Sequence, residues 1–457
     1  MKFLMRSGLL ALLVCAMAAG QSSLAQAQSS SGTDFVLPET DDGLPGAGPI
    51  RRYDWFRNLW KRRRSEFAAL APRQKESVVF FGDSITQGWG NDFKNHFPEL
   101  SVANRGISGD TTRGMLIRIE QDVLSVQPKA VVMLMGTNDL EEGAAPTVIA
   151  ENIRLIVDRL HKADPDMPII FCNVFPSSAS KKRPATEIKA INALCSTLPR
   201  TYPQVRILDT WTLFANGQGD AKKEEFPDLL HPNNAGYAKW AKALRPQLVT
   251  AGVLNEESAA PTAADGFKPL FNGRDLTGWG FRTTPEAMRK SRARWQKNNP
   301  QAPPWPLVEE DEAFDNLTVT PNGRFAAIGG SLVVLAPPEG RRIEQLWTTQ
   351  AFDQDFTLTL QFRALPNADS GVFIRGRQLQ CRDYALAGPY KDLAQYRPQQ
   401  WNDLVITVRG QSAHCTCNGE VLEADFSVPA AGPIGLEGDR GQIEYRAIRL
   451  KIDASND

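Results

Sequence analysis

Two domains of different class are predicted: a three-layer α/β domain over residues 50–252 and an all-β sandwich or jelly roll over residues 265–453. Three observations predict them. At 457 residues the chain is longer than one hydrophobic core normally serves. In the first half, short continuous apolar runs at 77–81, 130–135, 168–174 and 205–209 alternate with stretches of helical periodicity. Strands that are apolar along their whole length belong to a parallel sheet covered on both faces. Past a polar, small-residue junction at 255–266 the pattern changes to short strands with two-residue alternation, among them FTLTLQFRAL, DLVITVRG and IEYRAIRLKI.

Taken in order, Lys2 and Arg6 precede an apolar run from Leu9 to Ala19 and then small residues. This is the pattern of a secretory signal peptide over residues 1–27, with processing after Ala25 or Ala27, and it predicts a periplasmic or secreted protein. The apolar run is too short for a lasting membrane span. Residues 28–49, rich in Ser, Gln, Gly and Pro, read as a flexible linker. Tyr53, Phe56, Trp60, Phe67 and Leu70 share a helical face, and the basic run 61–64 reads as a solvated face of the same helix. Further helices are expected at 145–163, 186–198 and 234–248, and a second linker at 253–264. Formal net charge is zero, so charge points to neither nucleic acid nor an acidic surface. Beyond Cys15 in the signal segment there are five cysteines: Cys172, Cys195, Cys381, Cys415 and Cys417. An odd number leaves at least one unpaired, and Cys172, ending an apolar strand, reads as a buried thiol. His414, Cys415 and Cys417 lack a fourth ligand and follow a strand pattern, so no metal or organic cofactor is predicted.

The chemistry-bearing residues lie at strand ends. Ser84 directly follows the first apolar strand in VVFFGDSITQGW, and Asp228 and His231 stand three apart in DLLHPNNAGY. A serine, a histidine to take its proton and a carboxylate to orient that histidine make a nucleophilic set. NRGISGD (104–110) and VVMLMGTND (131–139) add polar donors, and in an open α/β sheet such loops meet at the carboxyl ends of the strands.

These blocks, in this order, resemble the SGNH/GDSL hydrolases, and more closely their platelet-activating-factor acetylhydrolase-like and carbohydrate-esterase members. Gly82-Asp83-Ser84 fits the nucleophile block, Asn104 to Asp110 the second, Gly136-Thr137-Asn138-Asp139 the third and Asp228 to His231 the last. The resemblance implies a flavodoxin-like sheet, a Ser84–His231–Asp228 triad and an oxyanion hole from the N–H groups of Ser84 and Gly109 with the Asn138 amide. Asp83 and Asp139 read as loop organisers, and Asp110 and Arg113 as braces of the second block. No long apolar lid follows Ser84, which favours short acyl groups such as acetyl. Trp89 either lines the cleft or packs in the core.

In the second domain FKPLFNGRDLTGW, DSGVFIRG, WNDLVITVRG and the final strand pair resemble a concanavalin-like domain linked to 3-keto-glycoside (3-keto-disaccharide) hydrolases. This implies a carbohydrate-associated jelly roll. The loop 438–441 departs from the family by placing Asp439 and Arg440 where a histidine often precedes the glycine, and residues 283–313 read as an insertion. Trp279, Trp305, Tyr384, Arg363, Arg375, Glu437 and Asp439 are candidate sugar contacts; the alternatives are core packing and strand ion pairs. The expected function is a serine esterase removing short acyl groups, O-acetyl first, from a carbohydrate. Two alternatives stand beside it: a bifunctional esterase and glycoside-cleaving enzyme, and a general short-acyl esterase with a non-catalytic glycan-binding module.

Overall fold

Five parallel strands carry the first domain: β1 (Val78–Gly82), β2 (Val102–Gly106), β3 (Ala130–Leu134), β4 (Ile169–Cys172) and β5 (Val205–Leu208). The computed structural model that shows them describes residues 35–90, 92–256 and 266–453. The sheet order is β2-β1-β3-β4-β5, the flavodoxin-like order that the family resemblance implies. Alternate residues of β1 serve opposite cores: Val78 and Phe80 pack on one side of the sheet, Val79 and Phe81 on the other. That is why the strand reads as an unbroken apolar run.

Among the helices flanking this sheet are α1 (Asp54–Leu70), α2 (Ser84–Gly88), α3 (Thr112–Asp122), α4 (Thr137–Glu141), α5 (Pro146–Ala163), α6 (Ala185–Cys195) and α7 (Asn234–Thr250). Helix α1 buries Phe56, Trp60 and Phe67 but leaves Tyr53 and Leu70 52% and 42% exposed, because these two flank the buried turns at the helix ends. Its basic run is not wholly a solvated face: Arg64 is buried and pairs with Asp122 at 3.1 Å.

The expected signal peptide, residues 1–27, lies outside the described residues, as does the start of the linker that follows it. Residues 36–49 of that linker are held on the α/β domain. Arg113 donates to Asp41 at 2.6 Å and to the Gly48 carbonyl at 3.0 Å, and Asn152 donates to the Ala47 carbonyl at 2.8 Å. Residues 257–264 of the second linker are likewise outside the described residues, while Val253 and Leu254 close the core beside α7. Among the described residues no helix is long and apolar enough to cross a membrane.

The second domain is two antiparallel sheets face to face. One has the order β17-β16-β15-β12-β19-β10-β9, with β6 also paired to β19, and the other β14-β13-β18-β11-β7-β8. The strands are β6 (Lys268–Pro269), β7 (Trp279–Phe281), β8 (Glu312–Ala313), β9 (Phe325–Ile328), β10 (Ser331–Val334), β11 (Glu344–Phe352), β12 (Phe356–Ala364), β13 (Asp369–Ile374), β14 (Arg377–Arg382), β15 (Asn402–Arg409), β16 (Ser412–Cys417), β17 (Glu420–Ser427), β18 (Gly432–Gly438) and β19 (Ile443–Ile452). Their inward residues, among them Leu346, Leu358, Ile406 and Leu436, form one core. The insertion 283–313 holds helix α8 (Glu286–Asn298). Leu365, at the end of β12, joins the core of the first domain with Trp240, Leu248 and Val249. Arg363 donates to both oxygens of Glu256 at 2.8 Å, and Gln442 donates to Thr250 at 2.9 Å, so the two domains are docked.

Candidate active site

Ser84 is the first residue of α2, immediately past the carboxyl end of β1. The turn is built by Asp83, whose side chain accepts the Ile85 N–H at 3.0 Å and caps the helix. Burial pushes the Asp83 carboxyl up to about 6, against the pull of that hydrogen bond. The turn also depends on Gly106 of β2: a Cβ there would stand 2.2 Å from the Gln87 nitrogen. From the other side, the Tyr237 hydroxyl of α7 donates to the Ile85 carbonyl at 2.8 Å.

The loop 226–233 brings in the second half of the site. Asp228 Oδ1 accepts the backbone N–H groups of Leu230 and His231 at 3.0 and 2.7 Å, a local turn that requires Leu229 to take a left-handed φ of 62°. Ser177 anchors it by donating to the Leu229 carbonyl at 2.7 Å. The result is a relay: His231 Nδ1 lies 2.8 Å from Asp228 Oδ2, and His231 Nε2 lies 3.0 Å from Ser84 Oγ. Although its partial burial alone would raise the Asp228 carboxyl, hydrogen bonds from the His231 and Leu230 N–H groups and the His231 ring hold it at about 2. Asp228 is therefore an acceptor at any pH near neutrality. The three side chains singled out in the sequence meet at hydrogen-bond distance, across 147 residues for Ser84 and His231.

The three donors expected of an oxyanion hole are the N–H groups of Ser84 and Gly109 and the Asn138 amide. Ser84 opens α2, so its N–H has no intrahelical acceptor. Gly109 takes φ 84°, and a Cβ on it would stand 2.6 Å from Trp55 Cη2 and 3.0 Å from Arg51 Nη1. Only glycine fits there. Asn138 is buried in α4 and donates from Nδ2 to the Asp110 carbonyl at 3.0 Å, leaving its second amide N–H free for another acceptor. Asp139 organises the loop as expected, accepting the Thr112 N–H at 3.0 Å and its hydroxyl at 2.6 Å. Asp110 pairs with buried Arg118 at 2.7 Å, and Arg113 pairs with Asp41 at 2.6 Å.

One residue that motif reading did not find completes the support. Arg183 is buried and its guanidinium donates to the Thr137 carbonyl at 3.0 Å, to Asn138 Oδ1 at 3.2 Å and to Glu141 at 2.8 Å. It fixes which edge of the Asn138 amide faces outward.

The candidate substrate contacts fare differently. Trp89 is 1% exposed, in a cluster with Phe80, Phe93, Phe97, Tyr237 and Trp240, so it is a core residue and not a cleft wall. Trp279 and Tyr384 are fully buried in the sandwich core, where the indole N–H donates to the Leu270 carbonyl at 2.8 Å and the Tyr384 hydroxyl to the Gln380 carbonyl at 2.7 Å. Arg375 is consumed by the carbonyls of Gly410, Gln354 and Pro429. Asp439 is held by the two-pronged guanidinium of Arg341 at 2.6 and 3.0 Å, and Arg363 by Glu256 and Glu444. All of these side chains are buried within the protein. Trp305 stacks on Trp295 with centroids 4.1 Å apart. What the second domain does present is a cavity of about 370 Å³, lined by Arg292 and Met288 of α8 and by Gln345, Trp347, Phe373 and Pro433 of the six-stranded sheet. Glu437, on the same sheet, is buried and bonded by Gln378. Cys415 and Cys417 point into the core and His414 out of it, and all five described cysteines are buried free thiols. Among the described residues no group of His, Cys, Asp and Glu is arranged to hold a metal ion.

Both domains match known families. Residues 80–239 match the GDSL-like lipase/acylhydrolase family, and residues 266–451 match the 3-keto-alpha-glucoside-1,2-lyase-like domain. The human platelet-activating factor acetylhydrolase IB subunit alpha2 is 30% identical over 189 residues, 40% of this chain and 81% of that protein. The rat subunit alpha1 is 27% identical over 193 residues, 42% of this chain and 82% of that one. The crystal structure of a GDSL-like lipase from Bacteroides thetaiotaomicron superposes with a TM-score of 0.38 at 24% identity, covering 42% of this chain and 97% of the other. The chain thus belongs to the GDSL-like lipase/acylhydrolase family, as an acylhydrolase whose catalytic-type domain is joined to a 3-keto-alpha-glucoside-1,2-lyase-like domain.

Proposed function

We propose that this acylhydrolase is an exported serine esterase that removes short acyl groups, acetyl first, from a carbohydrate. The observation that carries the catalytic part is the continuous Ser84–His231–Asp228 relay, with contacts of 3.0 and 2.8 Å. In this reading His231 Nε2 takes the Ser84 proton as Oγ attacks the ester carbonyl, and Asp228 holds the Nδ1–H tautomer and favours the imidazolium that forms. The tetrahedral oxyanion is gripped by the N–H groups of Ser84 and Gly109 and by the second N–H of Asn138. The protonated imidazole returns its proton to the departing alcohol. Water, deprotonated by His231, then releases the acyl group as a carboxylic acid.

Two features support the finer assignment. The curated relatives are named acetylhydrolases, and the second domain matches a family named for a glucoside substrate. Export rests on the charged, apolar and small-residue pattern of residues 1–27. The test is acetate release from a panel of acetylated polysaccharides by wild type and Ser84→Ala. Release that depends on Ser84 is the expected result. Wild type that releases none, while still cleaving a short aryl ester, would sink the carbohydrate assignment and leave the esterase.

A second reading, in which the β domain itself holds or cleaves a glycan, is favoured by the cavity beneath α8, where Trp347 and Phe373 lie with centroids 4.9 Å apart beside Gln345. Incubating the full chain carrying Ser84→Ala with 3-keto-glycosides separates cleavage from binding.

A further inference from the structure

Among the described Phe, Trp and Tyr residues, all but two are buried or half-buried; Tyr53 and Trp55 alone are exposed, each at 52%. They are neighbours in space, with ring centroids 6.4 Å apart and planes inclined by 13°. Trp89, which follows the nucleophile turn, is by contrast 1% exposed. An uncovered pair of near-parallel rings costs hydrophobic free energy in the free protein, so it calls for an occupant.

The pair's position says which occupant. The Trp55 ring packs on Gly109: Cη2 would be 2.6 Å from a Cβ placed there. The exposed rings therefore border one of the proposed oxyanion donors. Polar groups edge the patch. Arg51 pairs with Glu142 at 2.7 Å and also with Glu141, and the Tyr53 hydroxyl lies 3.4 Å from Glu142. A ligand here meets flat, electron-rich faces ringed by hydrogen-bonding groups. A pyranose ring has the matching form: a face of C–H bonds that settles on the negative face of an indole or phenol, and hydroxyls around the rim. An acetyl group is too small to use such a surface, and a long acyl chain would have no use for the charged border.

We propose that Trp55 and Tyr53 form a stacking platform for the sugar ring that bears the ester, on the alcohol side of the Ser84 site. This deepens the carbohydrate-esterase reading and rests on it. The platform binds the part of the substrate that leaves as alcohol, so it acts on oligosaccharide esters and hardly on an ester whose alcohol is a small phenol.

The test compares kcat and KM of wild type, Trp55→Ala, Tyr53→Ala and Trp55→Phe on an acetylated xylo-oligosaccharide and on 4-nitrophenyl acetate. Trp55→Ala is expected to raise the oligosaccharide KM at least tenfold more than the aryl ester KM. Tyr53→Ala should show a smaller shift in the same direction, and Trp55→Phe should recover most of the loss. An equal loss on both substrates, or an unchanged oligosaccharide KM, overturns the platform, because packing against Gly109 alone would move both substrates together. Wild type that cleaves the aryl ester but no acetylated oligosaccharide overturns the carbohydrate reading and the platform with it, whereas an active wild type whose variants show no selective loss overturns the platform alone.

Discussion

Arg183→Met perturbs the site without touching the triad. In the wild type Arg183 donates to Asn138 Oδ1 at 3.2 Å and to the Thr137 hydroxyl and carbonyl at 2.9 and 3.0 Å, so the amide of Asn138 is oriented by a buried cation. Methionine keeps much of the bulk and removes every one of these bonds. Asn138 retains its single bond to the Asp110 carbonyl at 3.0 Å, and can then turn about it. Complete loss of one oxyanion donor costs roughly 10²–10³ in kcat. A donor that is present but poorly aimed should cost less, about 10–50-fold, or about 1.4–2.3 kcal/mol in the barrier. KM should stay near the wild-type value, since the bond matters once charge develops on the carbonyl oxygen. Glu141 keeps Arg51 as a partner, so no carboxylate is stranded and the stability cost should be only about 1–2 kcal/mol. The assay is steady-state hydrolysis of a short aryl ester, with chemical denaturation in parallel. Arg183→Lys, which keeps the charge and loses the fork, should fall between the two. A folded Arg183→Met enzyme with wild-type kcat would refute the positioning argument, as would a loss carried wholly by KM.

Other consequences follow from the same geometry. Asp228→Asn should lower kcat by roughly 10³–10⁴ while leaving the fold intact, because the exposed turn survives but the imidazole loses its orienting carboxylate; wild-type turnover in that variant would exclude the relay. Trp89→Ala should destabilise the protein by about 3–5 kcal/mol through the cavity it leaves, with little change in KM, and a rise in KM without loss of stability would return Trp89 to the cleft. Burial, reinforced by Asp439, pushes Glu437 up to about 7, above its ordinary value of 4.5. Its folded form thus binds a proton more tightly than the unfolded chain, and stability present at low pH is lost as pH rises from roughly 4 to roughly 7, by about 3 kcal/mol. Denaturation midpoints measured across that range should fall less steeply in Glu437→Gln than in wild type; parallel curves would refute the shift. Glu444→Ala strips buried Arg363 of its 2.6 Å partner and leaves it only Glu256, so a loss of about 2–4 kcal/mol is expected in denaturant unfolding.

What was readable in the sequence was what local patterns determine. The strand before Ser84 is apolar on both faces because each face meets its own core, and the turn after it is written in Gly82, Asp83 and Ser84 themselves. Asp228 and His231 needed only their three-residue spacing, since the Asp228 side chain organises the turn that presents the imidazole. What escaped reading depended on partners far along the chain. Arg183 reaches Asn138 across 45 residues, and Arg341 captures Asp439 across 98, which turns an apparent sugar contact into a structural ion pair. Aromatic residues were the hardest to place. Trp89 and Trp55 both lie near the nucleophile turn, but helical periodicity does not say which is covered: Trp89 is enclosed by Trp240 of α7, while Trp55 faces away from the buried stripe of Phe56, Trp60 and Phe67.

The central claim is that Ser84 is the nucleophile of this acylhydrolase. It is tested most directly by reacting the full chain with a fluorophosphonate, which traps an activated serine, and locating the adduct by peptide mass spectrometry. The geometry predicts one phosphonylated residue, Ser84, with labelling and short-ester hydrolysis lost together in Ser84→Ala and in His231→Ala. Ester hydrolysis that persists in Ser84→Ala, or an adduct on a different serine, would contradict it.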